Sequence, residues 1–345
     1  SLVQNHTVIN MAKILIIAPN WIGDAVMTEP LITQLKKNHS DSVIDVIATP
    51  WVASVMRAIP AINKVIIGDF KHGFLQWAER KKLASQLKLA GYTHAYVLPN
   101  SFKSALIPWL AKIPSRIGYK GEMRWGLITA PFENPSRSNR PSMSTHYFAL
   151  SGNQVNDTLQ PKLELPQLFL NEMKEKLQLT QNHDKLFILC PGAEYGPAKQ
   201  WPAEHFGKLA QMLIEQNSGA LVLILGSKKE SSLADDIIKL SNSSNQVINW
   251  CGQTTLDEAM ACIAIADKVV SNDSGLMHIA AAFRRPQVAI FGSSDPRHTP
   301  PLSPEAKVHW LHLECSPCFK RTCPLGHLKC LVDIQPQDVL NSLNN

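Results

Sequence analysis

A chain of 345 residues exceeds the usual span of one domain and is long enough for two, each with its own core. Hydrophobic residues at 45% and charged residues at 18% exclude a disordered chain, and no apolar run approaches the roughly 20 residues of a membrane helix. The formal charge of +6 favours an anionic partner, but no Lys/Arg run or basic–aromatic array points to nucleic acid.

Residues 1–10 lack the basic start and apolar middle of a secretory signal and are read as an extension ahead of Met11, so a cytoplasmic location is expected. Lys13–Ala18 is a short β-branched run and predicts a buried strand. A loop at Asn20–Asp24 and a helix to about Lys37 follow. Val43–Ala48, Lys64–Ile67 and His94–Leu98 predict further strands, with a helix over Phe74–Leu89. Strand–helix alternation of this kind builds a parallel sheet covered on both faces. Between 131 and 185 five prolines fall among Ser, Asn and Gln, which predicts the interdomain connection, with a short helix at His146–Leu150. The rhythm then restarts: strands at Leu186–Cys190, Ala220–Leu225, Gln246–Trp250, Lys268–Ser271 and Gln287–Phe291, helices at Ala203–Gln216, Ser231–Leu240, Leu256–Ala266 and Leu276–Phe283. The fold class is α/β, with two doubly wound units in tandem, domains at 11–170 and 171–345, and a Cys-rich segment at 315–330. Ligands of such sheets bind beyond the carboxyl ends of the strands.

Four loops lie at such ends. Pro19–Asp24 holds Gly23, which permits a close approach, and Asp24, which suits either a helix N-cap or a ligand contact. It is neither a dinucleotide fingerprint nor a P-loop. Cys190–Pro202 places two glycines and Lys199 ahead of a helix, the makings of a phosphate cradle or of a loop with a solvated lysine. Ser271–His278 runs from strand through a small polar loop into a helix, where free N–H groups favour an anion. His278 stands four residues after Ser274, on the side that faces the loop. Phe291–Pro296 closes the next strand as a further lining loop or a simple turn.

Together the Gly23-Asp24 pair, Lys199-Gln200-Trp201-Pro202 and Asn272-Asp273-Ser274-Gly275-Leu276-Met277-His278 resemble, in content and order, glycosyltransferase family 9, the heptosyltransferases of lipopolysaccharide synthesis. Leu98–Ala105, Gly118–Arg124 and Cys190–Lys199 are similar to the branch that adds the second heptose, and the likeness runs from about Met11 to the C-terminus. The resemblance implies a GT-B fold, two Rossmann-like domains facing a central cleft with acceptor on the first and nucleotide-sugar on the second. It implies inverting transfer from ADP-heptose to the heptosyl-Kdo2-lipid A inner core, with no required cofactor or tightly bound metal. Carried over by position, Asp24 matches the base. Lys199, Asp273, Ser274, Gly275 and His278 match donor contacts, and Glu194 and Tyr195 lie where relatives touch donor phosphate or sugar. Lys103, Arg116, Lys120 and Arg124 are candidates for the acidic acceptor, or form a solvated basic surface. The protein is expected to work peripherally at the cytoplasmic face of the inner membrane, without a transmembrane segment.

Rival readings are heptosyltransferase I or III type acceptor use, a GT-B sugar-nucleotide epimerase, and a metal or redox module. The last comes from Cys315, Cys318, Cys323 and Cys330, spaced C-x2-C-x4-C-x6-C around His327. Clustered cysteines in a reducing compartment suit a closed structural zinc site, although the spacing is not a paired-CxxC pattern and reduced thiols or a redox pair stay open. Cys190, Cys251 and Cys262 sit in apolar runs and are read as small core residues.

Overall fold

The structure, a computed structural model, describes residues 11–70, 74–179 and 185–345. The extension expected at residues 1–10 lies outside them. The chain divides into two compact units. The first contains residues up to Asn20, Thr28–Arg140 and Ser144–Asn156; the second contains Trp21–Met27, Pro141–Met143 and Asp157–Asn345. Residues 157–170, expected within the first domain, thus cluster with the second unit, where the Leu163 N–H donates to the Ala282 carbonyl at 3.3 Å.

In chain order the strands of the first unit are β1 (Lys13–Ile17), β2 (Val43–Ala48), β3 (Lys64–Ile67), β4 (His94–Val97), β5 (Ser115–Tyr119) and β6 (Ala130–Phe132). Helices α1 (Ile22–Met27), α2 (Glu29–Asn38), α3 (Ala53–Arg57), α4 (Trp77–Leu89), α5 (Phe102–Leu110) and α6 (Met143–Phe148) come along the same stretch. The strands of the second unit are β7 (Leu186–Cys190), β8 (Leu221–Ile224), β9 (Val247–Asn249), β10 (Lys268–Asn272), β11 (Gln287–Phe291) and β12 (Ala306–Trp310). Its helices are α7 (Gln167–Lys176), α8 (Ala203–Gln216), α9 (Ser231–Ser241), α10 (Leu256–Ile265), α11 (Gly275–Ala282), α12 (Lys329–Val332) and α13 (Pro336–Asn344).

Both sheets are wholly parallel. The first has the order β3-β2-β1-β4-β5-β6 and the second β12-β11-β10-β7-β8-β9. Counted within its own unit, each sheet has the doubly wound 3-2-1-4-5-6 order, so the expected pair of Rossmann-like units is present. The direction of winding reverses between β1 and β4 in one sheet and between β7 and β10 in the other. Two central strands show why these runs pair there: Ile14–Ile17 of β1 and all of β7 are buried, as a parallel strand covered on both faces requires.

Three strands went unanticipated. β6 is only three residues long and contains Pro131, tolerated because it is an edge strand paired with β5 alone. β5 and β12 carry too few apolar residues in sequence to signal a strand. The stretch read as a connection also contains β6 and α7, while α6 and the turn Ala149–Ser151 stand where the short helix at His146–Leu150 was expected. In the second core Phe206, Leu209, Ala210 and Leu213 recur at helical spacing on one side of α8 and pack with Trp201, which is 1% exposed and donates from Nε1 to the Ile334 carbonyl at 3.0 Å. Among the described residues no helix is long and apolar enough to cross a membrane.

Candidate functional site

The chemistry-bearing residues of the second unit gather on the loops after β7 and β10, the two strands flanking its winding reversal. That position follows from topology: helices on opposite sheet faces leave the carboxyl ends of these strands uncovered. Asn272, the last residue of β10 and fully buried, fixes the first loop to the second. Its Oδ1 accepts from the Trp201 N–H at 3.0 Å, and its Nδ2 donates to the carbonyls of Pro191 at 2.7 Å and Gly192 at 3.3 Å. One amide side chain therefore spans both ends of the Pro191–Trp201 loop.

Within that loop the backbone turns at Gly196, whose φ is 149° and whose missing Cβ would lie 2.7 Å from the Arg321 carbonyl oxygen. Only glycine fits there. The Ala198 N–H donates to the same Arg321 carbonyl at 3.0 Å, and the Tyr195 hydroxyl donates to the Phe319 carbonyl at 2.6 Å. The Cys-rich segment thus supports the loop from behind. Lys199 ends the short turn Pro197–Lys199, and its Nζ lies 5.1 Å from the centre of the Tyr195 ring. It donates to Asp273 Oδ2 at 2.6 Å, and the Ser294 hydroxyl donates to the same oxygen at 2.6 Å. Lys199 and Asp273 are buried enough, at 19% and 7% side-chain exposure, for this ion pair to escape most solvent screening.

Asp273 leads into Ser274, the N-cap of α11, in an extended conformation (φ −152°, ψ 172°). The Ser274 hydroxyl does not cap the helix and is buried without a hydrogen-bond partner among the described residues. The first turn of α11 therefore presents backbone N–H groups and the positive end of its dipole beside Lys199 and that hydroxyl. Helix α1 packs on α11 through two glycines. A Cβ on Gly23 would come within 2.7 Å of the His278 ring, and one on Gly275 within 2.9 Å of Ile22 Cβ. Asp24, the next residue of α1, belongs by this contact to the second unit, although it follows β1 in sequence. Burial raises its carboxyl from 3.8 to about 6. Burial lowers the His278 imidazole from 6.5 to about 4, with Asp273 opposing and Lys199 reinforcing the shift, so the ring is neutral at physiological pH.

The structure thus brings Lys199, Asp273, Ser274, Gly275 and His278 together, with Asp24 beside them on α1. Glu194 and Tyr195 lie on the same loop but more exposed, Glu194 facing Lys229 Nζ at 3.3 Å. Asn272 and Ser294 were not singled out in the sequence. The signal was available, since both lie in the motif stretches at strand ends, but their bonds join positions 71 and 21 residues apart.

The basic residues of the first unit behave differently from a shared exposed surface. Arg124 is 2% exposed and donates to the carbonyls of Tyr119 at 2.5 Å and Pro99 at 2.7 Å. Arg116 donates to the carbonyls of Leu127 at 2.6 Å, Ile113 at 2.7 Å and Gly126 at 3.1 Å. Both guanidiniums are committed to holding the β5–β6 connection. Lys120 is exposed and pairs with Glu133, and Lys103 is half-buried at the start of α5.

Cys315, Cys318, Cys323 and Cys330, all free thiols, line a cavity of about 20 Å³ with His327, Ala198 and Ser293. Backbone N–H groups, Leu328 foremost, lower the Cys323 thiol, whereas burial and then the other three sulfurs raise that of Cys330. As the side chains stand, no three His, Cys, Asp or Glu groups among the described residues are arranged to hold a metal ion. Cys190, Cys251 and Cys262 are buried in the second core, and burial raises each thiol.

Residues 80–329 match the family model described as glycosyltransferase family 9 (heptosyltransferase). Lipopolysaccharide heptosyltransferase 2 of Escherichia coli (strain K12) is 39% identical, the match covering 96% of this chain and 97% of that protein. The protein of the same name from Salmonella typhimurium is 40% identical over 96% and 98%. The solved structure of E. coli ADP-heptose lps heptosyltransferase II superposes with a TM-score of 0.84 at 36% identity, covering 96% of this chain and 97% of that one.

Proposed function

The chain belongs to glycosyltransferase family 9, and from that premise we propose that it moves L-glycero-D-manno-heptose from ADP-heptose to the heptosyl-Kdo2-lipid A inner core of lipopolysaccharide, the second heptose addition. The observation that carries the reading is the convergence of Lys199, the Ser274 hydroxyl and the first turn of α11 at the winding reversal of the second sheet, a cradle of the charge and hydrogen-bonding character that a diphosphate needs. The second domain, 171–345 in the sequence reading, would hold the nucleotide-sugar, and the first, 11–170, the acceptor.

In this reading Asp24 takes the proton from the attacking acceptor hydroxyl while the acceptor oxygen bonds to the anomeric carbon from the face opposite ADP, which inverts the centre. The bond from that carbon to the β-phosphate oxygen breaks, and its electron pair leaves with ADP. The transition state is oxocarbenium-like. A carboxyl near 6 is ionised at neutral pH yet basic enough to share a proton in flight. Lys199 and the α11 N–H groups stabilise the charge that grows on ADP, so no acid has to protonate the leaving group. Asp273 and Ser294 hold Lys199 in place, and neutral His278 packs under the Asp24 turn. No required cofactor enters these steps. Lys103 and Lys120 are the acceptor-side basic groups this reading retains, and catalysis takes place at the cytoplasmic face of the inner membrane.

The reaction is tested by incubating ADP-heptose with lipid A acceptors carrying Kdo alone, Kdo plus one heptose, or a longer core, and weighing the products. A gain of one heptose on the mono-heptosyl acceptor alone is expected; a gain on the Kdo-only or longer acceptor would replace the reading with a different acceptor class. The C-terminal thiols are a candidate zinc set that requires the four side chains to turn into their cavity. Elemental analysis of protein purified without chelator decides: stoichiometric zinc supports the set, and substoichiometric zinc with four titratable thiols sinks it.

A further inference from the structure

We propose that the first unit carries a docking face for an anionic lipid surface, built from the start of α4, the start of α5 and the β5–β6 connection. The inference rests on the reading of the acceptor as a membrane-held glycolipid and identifies the protein surface that meets that membrane. Six large apolar side chains stand in solvent on these three segments: Phe74 (64% exposed), Leu75 (43%), Trp77 (45%), Phe102 (40%), Met123 (83%) and Trp125 (86%). A soluble surface tolerates such residues singly; a group of them marks an interaction site.

Buried polar groups make the six a group. Arg80, 6% exposed, donates from Nε to the Leu75 carbonyl at 2.7 Å and from Nη1 to the Lys103 carbonyl at 3.1 Å, joining the start of α4 to α5. The Phe102 N–H donates to Glu122 Oε2 at 3.1 Å, joining α5 to the β5–β6 connection. Arg124 fastens that connection to the Pro99 carbonyl on the other side. The backbone at the tips is in the left-handed region at three non-glycine residues, Gln76 (φ 45°), Glu122 (32°) and Met123 (49°). L-residues avoid that region, and here two in succession form the Gly121–Arg124 turn, closed by the Arg124 N–H on the Gly121 carbonyl at 3.2 Å, which leaves Met123 in solvent while Arg124 is buried.

The charge selects the occupant. From residue 74 to 126 there are nine Lys or Arg against two Asp or Glu, a surplus of seven in a chain whose entire net charge is +6. Arg80, Arg116 and Arg124 are bonded to carbonyls, but Lys81, Lys82, Lys88, Lys112 and Lys120 are exposed. Protein interfaces are depleted in lysine. Tryptophan, phenylalanine and methionine set among exposed lysines are instead the composition of a surface that seats its rings at the headgroup level and draws anionic lipid by charge.

The test is sedimentation with vesicles of phosphatidylglycerol in phosphatidylcholine, and of phosphatidylcholine alone, at about 0.1 M salt. The wild type is expected to partition onto the anionic vesicles at least about tenfold better than onto the neutral ones. The double variant Met123→Ser/Trp125→Ser, whose side chains touch little of the fold, is expected to lose about tenfold of that binding, and Lys81→Glu/Lys82→Glu to lose the preference for phosphatidylglycerol. Turnover of a deacylated, water-soluble acceptor by Met123→Ser/Trp125→Ser should match the wild type. Equal vesicle binding by wild type and double variant, or no binding by the wild type, overturns the proposal. Loss of turnover on the deacylated acceptor with vesicle binding intact also overturns it, because the tips would then hold acceptor sugar. If the wild type binds anionic vesicles as described but heptosylates none of the core acceptors, the proposed reaction fails and the lipid face stands.

Discussion

The two units repeat one strand order and use it in opposite ways. In the second, the loops at the winding reversal are closed by buried polar bonds: Asn272 ties the Pro191–Trp201 loop, and Asp273 gathers Lys199 and Ser294. The groups left over, a serine hydroxyl and the start of α11, suit an anion. In the first, the loops after β4 and β5 are held by arginines whose charge is spent on carbonyls, and what remains outward is Met123 and Trp125 beside the exposed Lys120. The basic side chain of Lys199 pairs with a carboxylate in one unit, whereas Arg116 and Arg124 are spent on backbone carbonyls in the other. Strand order alone does not assign the job; the partners of each side chain do.

The largest expected effect lies at α1, the segment that follows β1 in sequence but clusters with the second unit. Asp24→Asn is expected to fold normally and lose about 10²–10⁴-fold in kcat, the usual worth of a positioned base. In the wild type, activity should fall on the acid side through a pH of about 6, where the carboxyl protonates. Stability runs the other way. A carboxyl raised in the folded state favours the protonated form, so its contribution is full below the unfolded value of 3.8 and is lost as pH rises through about 6. Asp24→Asn should therefore be at least as stable as the wild type at neutral pH by urea unfolding. A near-normal kcat in a folded variant removes Asp24 from the chemistry.

Arg124→Met tests the other half of the comparison. If the arginine is an internal staple, removing it leaves the Tyr119 and Pro99 carbonyls without their donor, which costs about 2–4 kcal/mol of stability. The urea midpoint should drop and the Gly121–Gly126 segment should become a protease target, while affinity for ADP stays at the wild-type value. Unchanged stability with weaker acceptor use would return Arg124 to the binding surface where the sequence reading had placed it.

What the sequence revealed and what it hid divide along physical lines. Lys13–Ile17 and Leu186–Cys190 were legible because a strand buried on both faces must be an unbroken apolar run. The loop at Asn272–His278 was legible as a strand-to-helix junction, because small polar residues stand there between an apolar run and a helical pattern. β6 was not: three residues with a proline carry no periodicity, and pairing with β5 alone defines it. Arg116 and Arg124 read as charges for an acceptor because sequence gives the charge and not its neighbours. The arginine and the carbonyl it meets, Arg124 and Pro99, are 25 residues apart. Asp24 was singled out by its loop, but its unit was not legible, because Gly23 packs against His278, far along the chain.

The smallest expected effect lies in the second unit's own network. Lys199→Ala removes one charge-assisted donor from the proposed diphosphate cradle, worth about 1.5–3 kcal/mol, so the Kd for ADP should rise roughly 10–150-fold. Lys199→Arg should recover only part of this, because a planar fork cannot reproduce the point contact at 2.6 Å with Asp273 in a site 19% exposed. His278→Ala should act less on ADP and more on catalysis. Its ring fills the space against Gly23, so the cavity left behind loosens α1 and the aim of Asp24 while the α11 N–H groups stay in place. The two variants are separable by calorimetry with ADP and by kcat at saturating ADP-heptose. If Lys199→Ala leaves the ADP affinity unchanged, the polar closure around Asp273 is a structural lock like that of Arg124, and the contrast between the two units disappears.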